Sequence, residues 1–217
     1  MTDPSHQLSA AAVLLQHLNW DDAEQAREMV VRFNHVADNP GIAPVYRLAW
    51  WRAAIYRVQF DSDIELADRI VDNAKQLTGE FHLMHFRFPF DYRLGANALS
   101  KRDLVKAKQV LDTLNAAASG TSKVEKAYLR IFEARYFSQL GEAKDARRAA
   151  EEAAAYGESA GLPAVVWCHL YILLACCCAQ DLDGASAEAY AAKAVANAYG
   201  EDGAFARKTQ LFVAAFL

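Results

Sequence analysis

The stretch AYLRIFEARYFSQLGEAKDARRAAEEAAAYGESA, Ala127–Ala160, decides the fold. Its first half, through Leu140, places apolar residues at helical spacing, and Gly141 interrupts them. Its second half is dominated by Ala and Glu, both good helix formers. So short a break between two such runs predicts an antiparallel hairpin of two helices.

Outward from this unit the same grammar recurs. GANALSKRDLVKAKQVLDTL turns at Lys101–Asp103, and LLACCCAQDLDGASAEAYAAKAV turns around Gln180–Asp183. RAAIYRVQFDSDIELADRIVDNA turns at Asp61–Asp63, and LLQHLNWDDAEQAREMV near Asn19. The small residue early in each second helix is read as Ala23, Ala67, Ala107, Ala146 and Ala185, about 44, 40, 39 and 39 residues apart. Ala has a physical role there, because helices that cross near a shared turn approach to about 8–10 Å.

Asn39-Pro40-Gly41, Thr78-Gly79, Gly120-Thr121, Gly161-Leu162-Pro163 and Gly200–Gly203 separate the hairpins. Ser122 and Asp202 are read as N-terminal caps. Pro89 either kinks the helix around it or delays its start. The expected architecture is all-α, a single domain over 1–217. Its hairpins fall near 7–38, 43–77, 80–117, 122–160 and 162–199, followed by a helix over 203–217.

The composition agrees with a folded chain. Of 217 residues 53% are hydrophobic and 23% charged, with a net charge of -4, which excludes a wholly disordered chain. A chain this long buries roughly 70% of its unfolded surface without staples. No run of about 18 apolar residues occurs, so no membrane insertion is expected. Mild acidity argues against direct nucleic-acid binding, and the cluster Lys144, Arg147 and Arg148 is diluted by Glu142, Asp145, Glu151 and Glu152. The opening MTDPSHQLSA lacks the basic and apolar regions of a secretory signal. The four cysteines, Cys168 and Cys176–Cys178, crowd into one helix and form no disulfide framework; a reducing compartment, the cytoplasm, is expected.

The unit resembles the tetratricopeptide repeat family. Ala134, Phe137, Gly141, Ala146, Ala150 and Ala153 fit that family's small, aromatic, turn-glycine and helix-packing positions in order. Leu94, Gly95, Ala98 and Ala107 follow it one copy earlier, and Leu173, Cys176, Ala185 and Ala192 one copy later. Ile55, Val58, Ala67 and Ala74 keep the pattern more weakly, and Ala23 is nearly alone in the first copy. Glu133 departs from it, standing where a large apolar residue is usual. A unit of about 39 to 44 residues is longer than the family's usual one. It is similar to the extended helical repeats of some bacterial signalling and transcriptional regulators, such as the sensor region of maltose-type activators.

The resemblance implies a right-handed superhelix whose first helices line a concave groove that binds protein or peptide. In that register Arg52, Tyr56, Gln59, Tyr92, Tyr128, Arg135, Gln139 and Trp167 face the groove. Tyr and Trp offer rigid contact area and Arg directional donors, a surface suited to an acidic extended or helical peptide. The expected function is a protein- or peptide-interaction scaffold, the regulatory or sensory part of a bacterial signalling system. Two other readings stand beside it: a small-molecule sensor with a pocket at Phe86 and Phe90, and a homo-oligomerisation module built through Phe212, Phe216 and Leu217.

Catalysis, cofactors and metals are not expected. His82 and His85 are three apart, but neither they nor the cysteines give the four convergent ligands of a structural zinc site. Cys168 and His169 are sequence neighbours, which on a helix diverge by about 100°. No glycine loop cradles a phosphate. The pairs Asp21/Asp22, Asp61/Asp63 and Glu151/Glu152 fall at turns or on solvated faces.

Overall fold

The structure is a computed structural model that describes residues 3–18, 23–60, 63–198 and Thr209, the side chains at 23, 59, 60 and 119 excepted. Among these residues all regular structure is helical: α1 (Pro4–His17), α2 (Ala23–Ala37), α3 (Pro44–Phe60), α4 (Ile64–Glu80), α5 (Phe88–Ser100), α6 (Leu104–Ala117), α7 (Lys123–Leu140), α8 (Ala143–Ala160), α9 (Ala164–Gln180) and α10 (Gly184–Ala198), with short 3-10 turns at Met84–Phe86 and Ala118–Gly120. The expected helix over 203–217 lies outside the described residues, Thr209 apart.

One turn recurs after α5, after α7 and after α9. Between α7 and α8, Glu142 N donates to Phe137 O (3.0 Å) and Gly141 takes the left-handed conformation at φ 80°. Between α5 and α6, Asp103 N donates to Ala98 O (2.9 Å) with Arg102 at φ 57°; between α9 and α10, Asp183 N donates to Cys178 O (2.8 Å) with Leu182 at φ 61°. This six-residue closure satisfies carbonyls that the helix end orphans. The residue after the left-handed one then opens the next helix. Asp103 Oδ1 accepts from Lys106 N (3.0 Å) and Asp183 Oδ1 from Ser186 N (3.2 Å). Asp63 caps α4 with the same bond, its Oδ1 accepting from Leu66 N (3.0 Å).

Four residues beyond each such position stands a buried alanine: Ala67, Ala107, Ala146 and Ala187. Ala26 occupies the same place in α2. These five are about 41, 40, 39 and 41 residues apart, a more even recurrence than the one read from the sequence. Ala185 and Ala192 are exposed, and Ala187, Ala191, Ala194 and Ala198 make the inner face of α10. The misreading is physical in origin: in so alanine-rich a helix composition marks no face, and the cap at Asp183 sets the register.

The break expected at Thr78-Gly79 falls later. α4 runs on to Glu80, and His82 (φ 53°) takes the left-handed position, with Leu83 N donating to Thr78 O (2.9 Å). Pro89 sits in the first turn of α5, where it lacks no needed hydrogen bond, and the helix starts only at Phe88. At Ser122 the expected cap is a full capping box, its Oγ accepting from Glu125 N and its own N donating to Glu125 Oε2.

The chain forms two compact units, Met1–Asn97 and Ala98–Leu217, divided within α5. In the first, α3 packs against α1, α2 and α4. Contact on several sides buries both Trp50 and Trp51. The Trp50 indole N–H donates to Asn34 Oδ1 (2.9 Å). In the second, α7 packs on α6 and α8, α8 on α9, and α9 on α10. Ala146, Ala149, Ala150, Ala153 and Gly157 form the buried stripe of α8, so no bulky side chain holds that helix away from its neighbours.

Candidate interaction surface

In the second unit, the matched turn bonds of Phe137 and Cys178 place α7 and α9 in register at a shift of 41 residues. Tyr128, Arg135 and Gln139 then correspond to His169, Cys176 and Gln180. Contacts between the two first helices agree: Ser138 Oγ lies 3.3 Å from Gln180 Oε1, and the charge of Arg135 acts on His169. His169 stands at the surface with Nδ1 2.8 Å from Val165 O. Partial desolvation, and after it the nearby guanidinium, holds the imidazole below its ordinary range, while the Val165 bond acts upward. Tyr128 and Arg135 are half-buried. Gln139 is exposed, but its amide donates to Leu99 O (3.1 Å), so part of its capacity joins α7 to the end of α5.

Trp167 does not belong to this surface. Its ring stacks on Tyr171 (5.5 Å between centroids, 26° between planes) and lies against Gly157, where an added Cβ would meet it at 3.1 Å. In the turn register it matches Lys126, two residues from Tyr128, so it points toward α8. His169 holds the position that the sequence reading assigned to Trp167.

In the first unit Arg52 is exposed on α3 and Tyr56 is half-buried against the core; the side chain of Gln59 lies outside the described residues. Tyr92 is buried and stacks with Phe88 (6.3 Å), a packing residue and not a groove residue. Phe90 is fully buried in the core and Phe86 packs against that core, so neither opens a pocket of the expected kind. The first unit's open cleft, about 590 Å³, is lined instead by Arg27, Val30, Val58, Asp63, Ile64, Glu65 and Leu66. Phe212, Phe216 and Leu217 lie outside the described residues.

Two arrangements went unread in the sequence. Asp91 is buried on α5 with Lys75 Nζ at 3.3 Å and Arg87 Nε at 2.9 Å, while Asn97 Nδ2 donates to Asp68 Oδ1 (2.6 Å) nearby on the same helix pair. The recurrence of charged residues inside the otherwise apolar run Phe86–Leu94 was the available signal. On the other unit Tyr171 also stacks on Tyr190 (6.2 Å, 20°), and Lys193 Nζ lies 5.3 Å from the Tyr190 ring and 5.7 Å from that of Tyr171. Arg147 ties α8 to the start of α10. Its Nε meets Glu151 Oε1 (3.0 Å) and its Nη1 meets Asp183 Oδ2 (2.9 Å).

Burial, with the neighbouring thiols Cys176 and Cys178, pushes Cys177 up to about 12. Burial likewise raises Cys176 and Cys178, so little thiolate is present at neutral pH. Cys168 faces Thr209 Oγ1 at 3.6 Å. Among the described residues no group of three or more His, Cys, Asp or Glu is placed to hold a metal ion, and no helix is long and apolar enough to cross a membrane.

No protein-family description matches the sequence, and no curated protein matches it. Solved structures do match. The crystal structure of BtubC (BKLC) from P. vanneervenii aligns over 92% of this chain and 81% of its own, with a TM-score of 0.62 at 14% identity. At that identity the likeness shows the fold alone.

Proposed function

We propose that the chain is a tetratricopeptide-like scaffold, a right-handed superhelix of about five hairpins, that binds a protein or peptide. We read it as the regulatory or sensory part of a cytoplasmic bacterial signalling system. Support for the repeat reading comes from the recurring turn with its buried alanine four residues on. The observation that carries the binding reading is the row on α7 and α9. Tyr128, Arg135, His169 and Gln180 stand on adjacent first helices, offering aromatic area, a guanidinium, an imidazole and an amide within one face.

This set favours an acidic peptide. Arg135 supplies a directional, permanently charged donor, and the imidazole gains a proton more readily beside a carboxylate. Binding therefore takes up protons and tightens as pH falls.

The test uses acidic peptides selected on the full-length chain from a displayed library. Calorimetry on the winners is expected to show at least about a tenfold loss for Arg135→Glu, with helicity unchanged. Arg52→Glu tests the α3 surface separately. Selected peptides whose affinity ignores Arg135→Glu and His169→Gln would remove the α7–α9 face from consideration.

A further inference from the structure

Tyr171 follows His169 by two residues, about 200° round α9, so its ring points away from the face described above. That side carries a row of rings. Trp167 lies against Gly157 of α8 and stacks on Tyr171, which stacks in turn on Tyr190 of α10. The centroids are 5.5 and 6.2 Å apart and the planes differ by 26° and 20°. All three rings are half-buried, packed inward on the core that holds Ala150, Ala153, Leu170 and Leu174. The row therefore runs across α8, α9 and α10 and keeps part of each ring at the surface.

Charge at the row is one-sided. Lys193, exposed on α10, holds its ammonium 5.3 Å from the Tyr190 ring and 5.7 Å from the Tyr171 ring. No carboxylate lies on α10 from Ala189 to Ala198. On α8, Glu151 meets Arg147 (3.0 Å) and Glu152 turns to Arg130 of α7 (2.9 Å). The Lys193 ammonium is thus left without a carboxylate among the described residues. Such a surface selects its occupant. A helical peptide needs a broad apolar trough for anchors on successive turns, and an added strand needs free backbone groups, which helices bond internally. A polyproline II segment needs neither. Its backbone stays solvated, its prolines recur on one face about every 9 Å, and it docks on aromatic rings at little ordering cost. The two centroid steps of this row span about one such turn.

We propose that this row is a second docking site, separate from the α7–α9 face, for a proline-rich extended peptide whose carboxylate pairs with Lys193. The prolines lie on the exposed edges of Trp167, Tyr171 and Tyr190, and the acid takes the place of water at the ammonium. Peptides that depend on Arg135 are expected to ignore Lys193→Glu, so failure of the α7–α9 reading leaves this inference standing.

The test is a displayed library of short peptides with a Pro-x-x-Pro frame and random flanking positions, selected on the full-length chain. Winners are expected to carry Asp or Glu at one fixed offset from the frame. They should also move the Trp167 indole N–H resonance, assigned through Trp167→Phe. Lys193→Glu should weaken them about tenfold or more and, used as bait, select Lys or Arg at that offset instead. Tyr190→Ala should weaken them similarly, and Arg135→Glu should leave them within about twofold. Lys193 is exposed, so its charge reversal keeps the fold and decides the matter even where Tyr190→Ala disturbs α10. An empty selection overturns the proposal, as do winners indifferent to Lys193→Glu. Winners that leave the Trp167 resonance in place and respond to Arg135→Glu overturn it too, because they belong to the other face.

Discussion

Leu182 is 94% exposed and holds φ at 61°, so its side chain gives the fold almost no packing while its backbone sits where L-residues other than glycine are strained. Gly141 occupies the corresponding turn without that strain. Leu182→Gly is therefore expected to raise stability by about 0.5–1 kcal/mol, and Gly141→Ala to lower it by about 1 kcal/mol, both read from urea midpoints at constant slope. Their signs should be opposite. His169 gives a different residue-scale signature. Its folded pKa lies below the ordinary value of about 6.5, so above that pH the ring is neutral in both states and contributes no slope. As pH falls through the unfolded value the unfolded chain takes the proton first, and stability declines. His169→Gln should flatten this part of the stability profile just below a pH of about 6.5. A profile unaltered by the substitution would show that the imidazole is not held neutral.

At the scale of elements, α10 shows how a cap fixes a face. Asp183 sets the first turn, Ala187 follows four residues later against α9, and Ala185 points to solvent. Ala187→Leu is expected to cost about 1–3 kcal/mol by overpacking, and Ala185→Leu less than about 0.5 kcal/mol. Equal effects would mean the helix is turned differently. Trp167 supplies the matching test for α9. Its half-buried ring spans Tyr171 and Gly157, so Trp167→Ala should lower stability by about 2–3 kcal/mol while leaving acidic-peptide affinity within about twofold, the reverse of Arg135→Glu. Arg147 joins α8 to α10 through Asp183 and pairs with Glu151 within α8, and these partly exposed pairs add less than this packing does.

At the scale of the whole molecule, a linear array transmits stability only through neighbours, whereas a closed bundle shares it. Ala187→Leu should accordingly lower amide-exchange protection in α8–α10 and leave α1–α3 near wild type. Uniform loss across α1–α10 would count against the superhelix proposed above.

The sequence by itself determined the helices and most of the breaks between them. Those features are local: apolar spacing, Gly141 and Gly161, Pro44 in a first turn and the cap at Ser122 act within a few residues. The repeating distance of about forty residues was legible for the same reason. The tertiary structure decided which face each helix turns inward. Neighbouring helical positions diverge by about 100°, so a slip of two residues carries the inner position from Ala187 to Ala185, and Trp167 and His169 exchange roles. Only the packed neighbours settle such a choice, because α8 receives the Trp167 ring and α7 brings Arg135 beside His169, and neither contact is written in the local pattern.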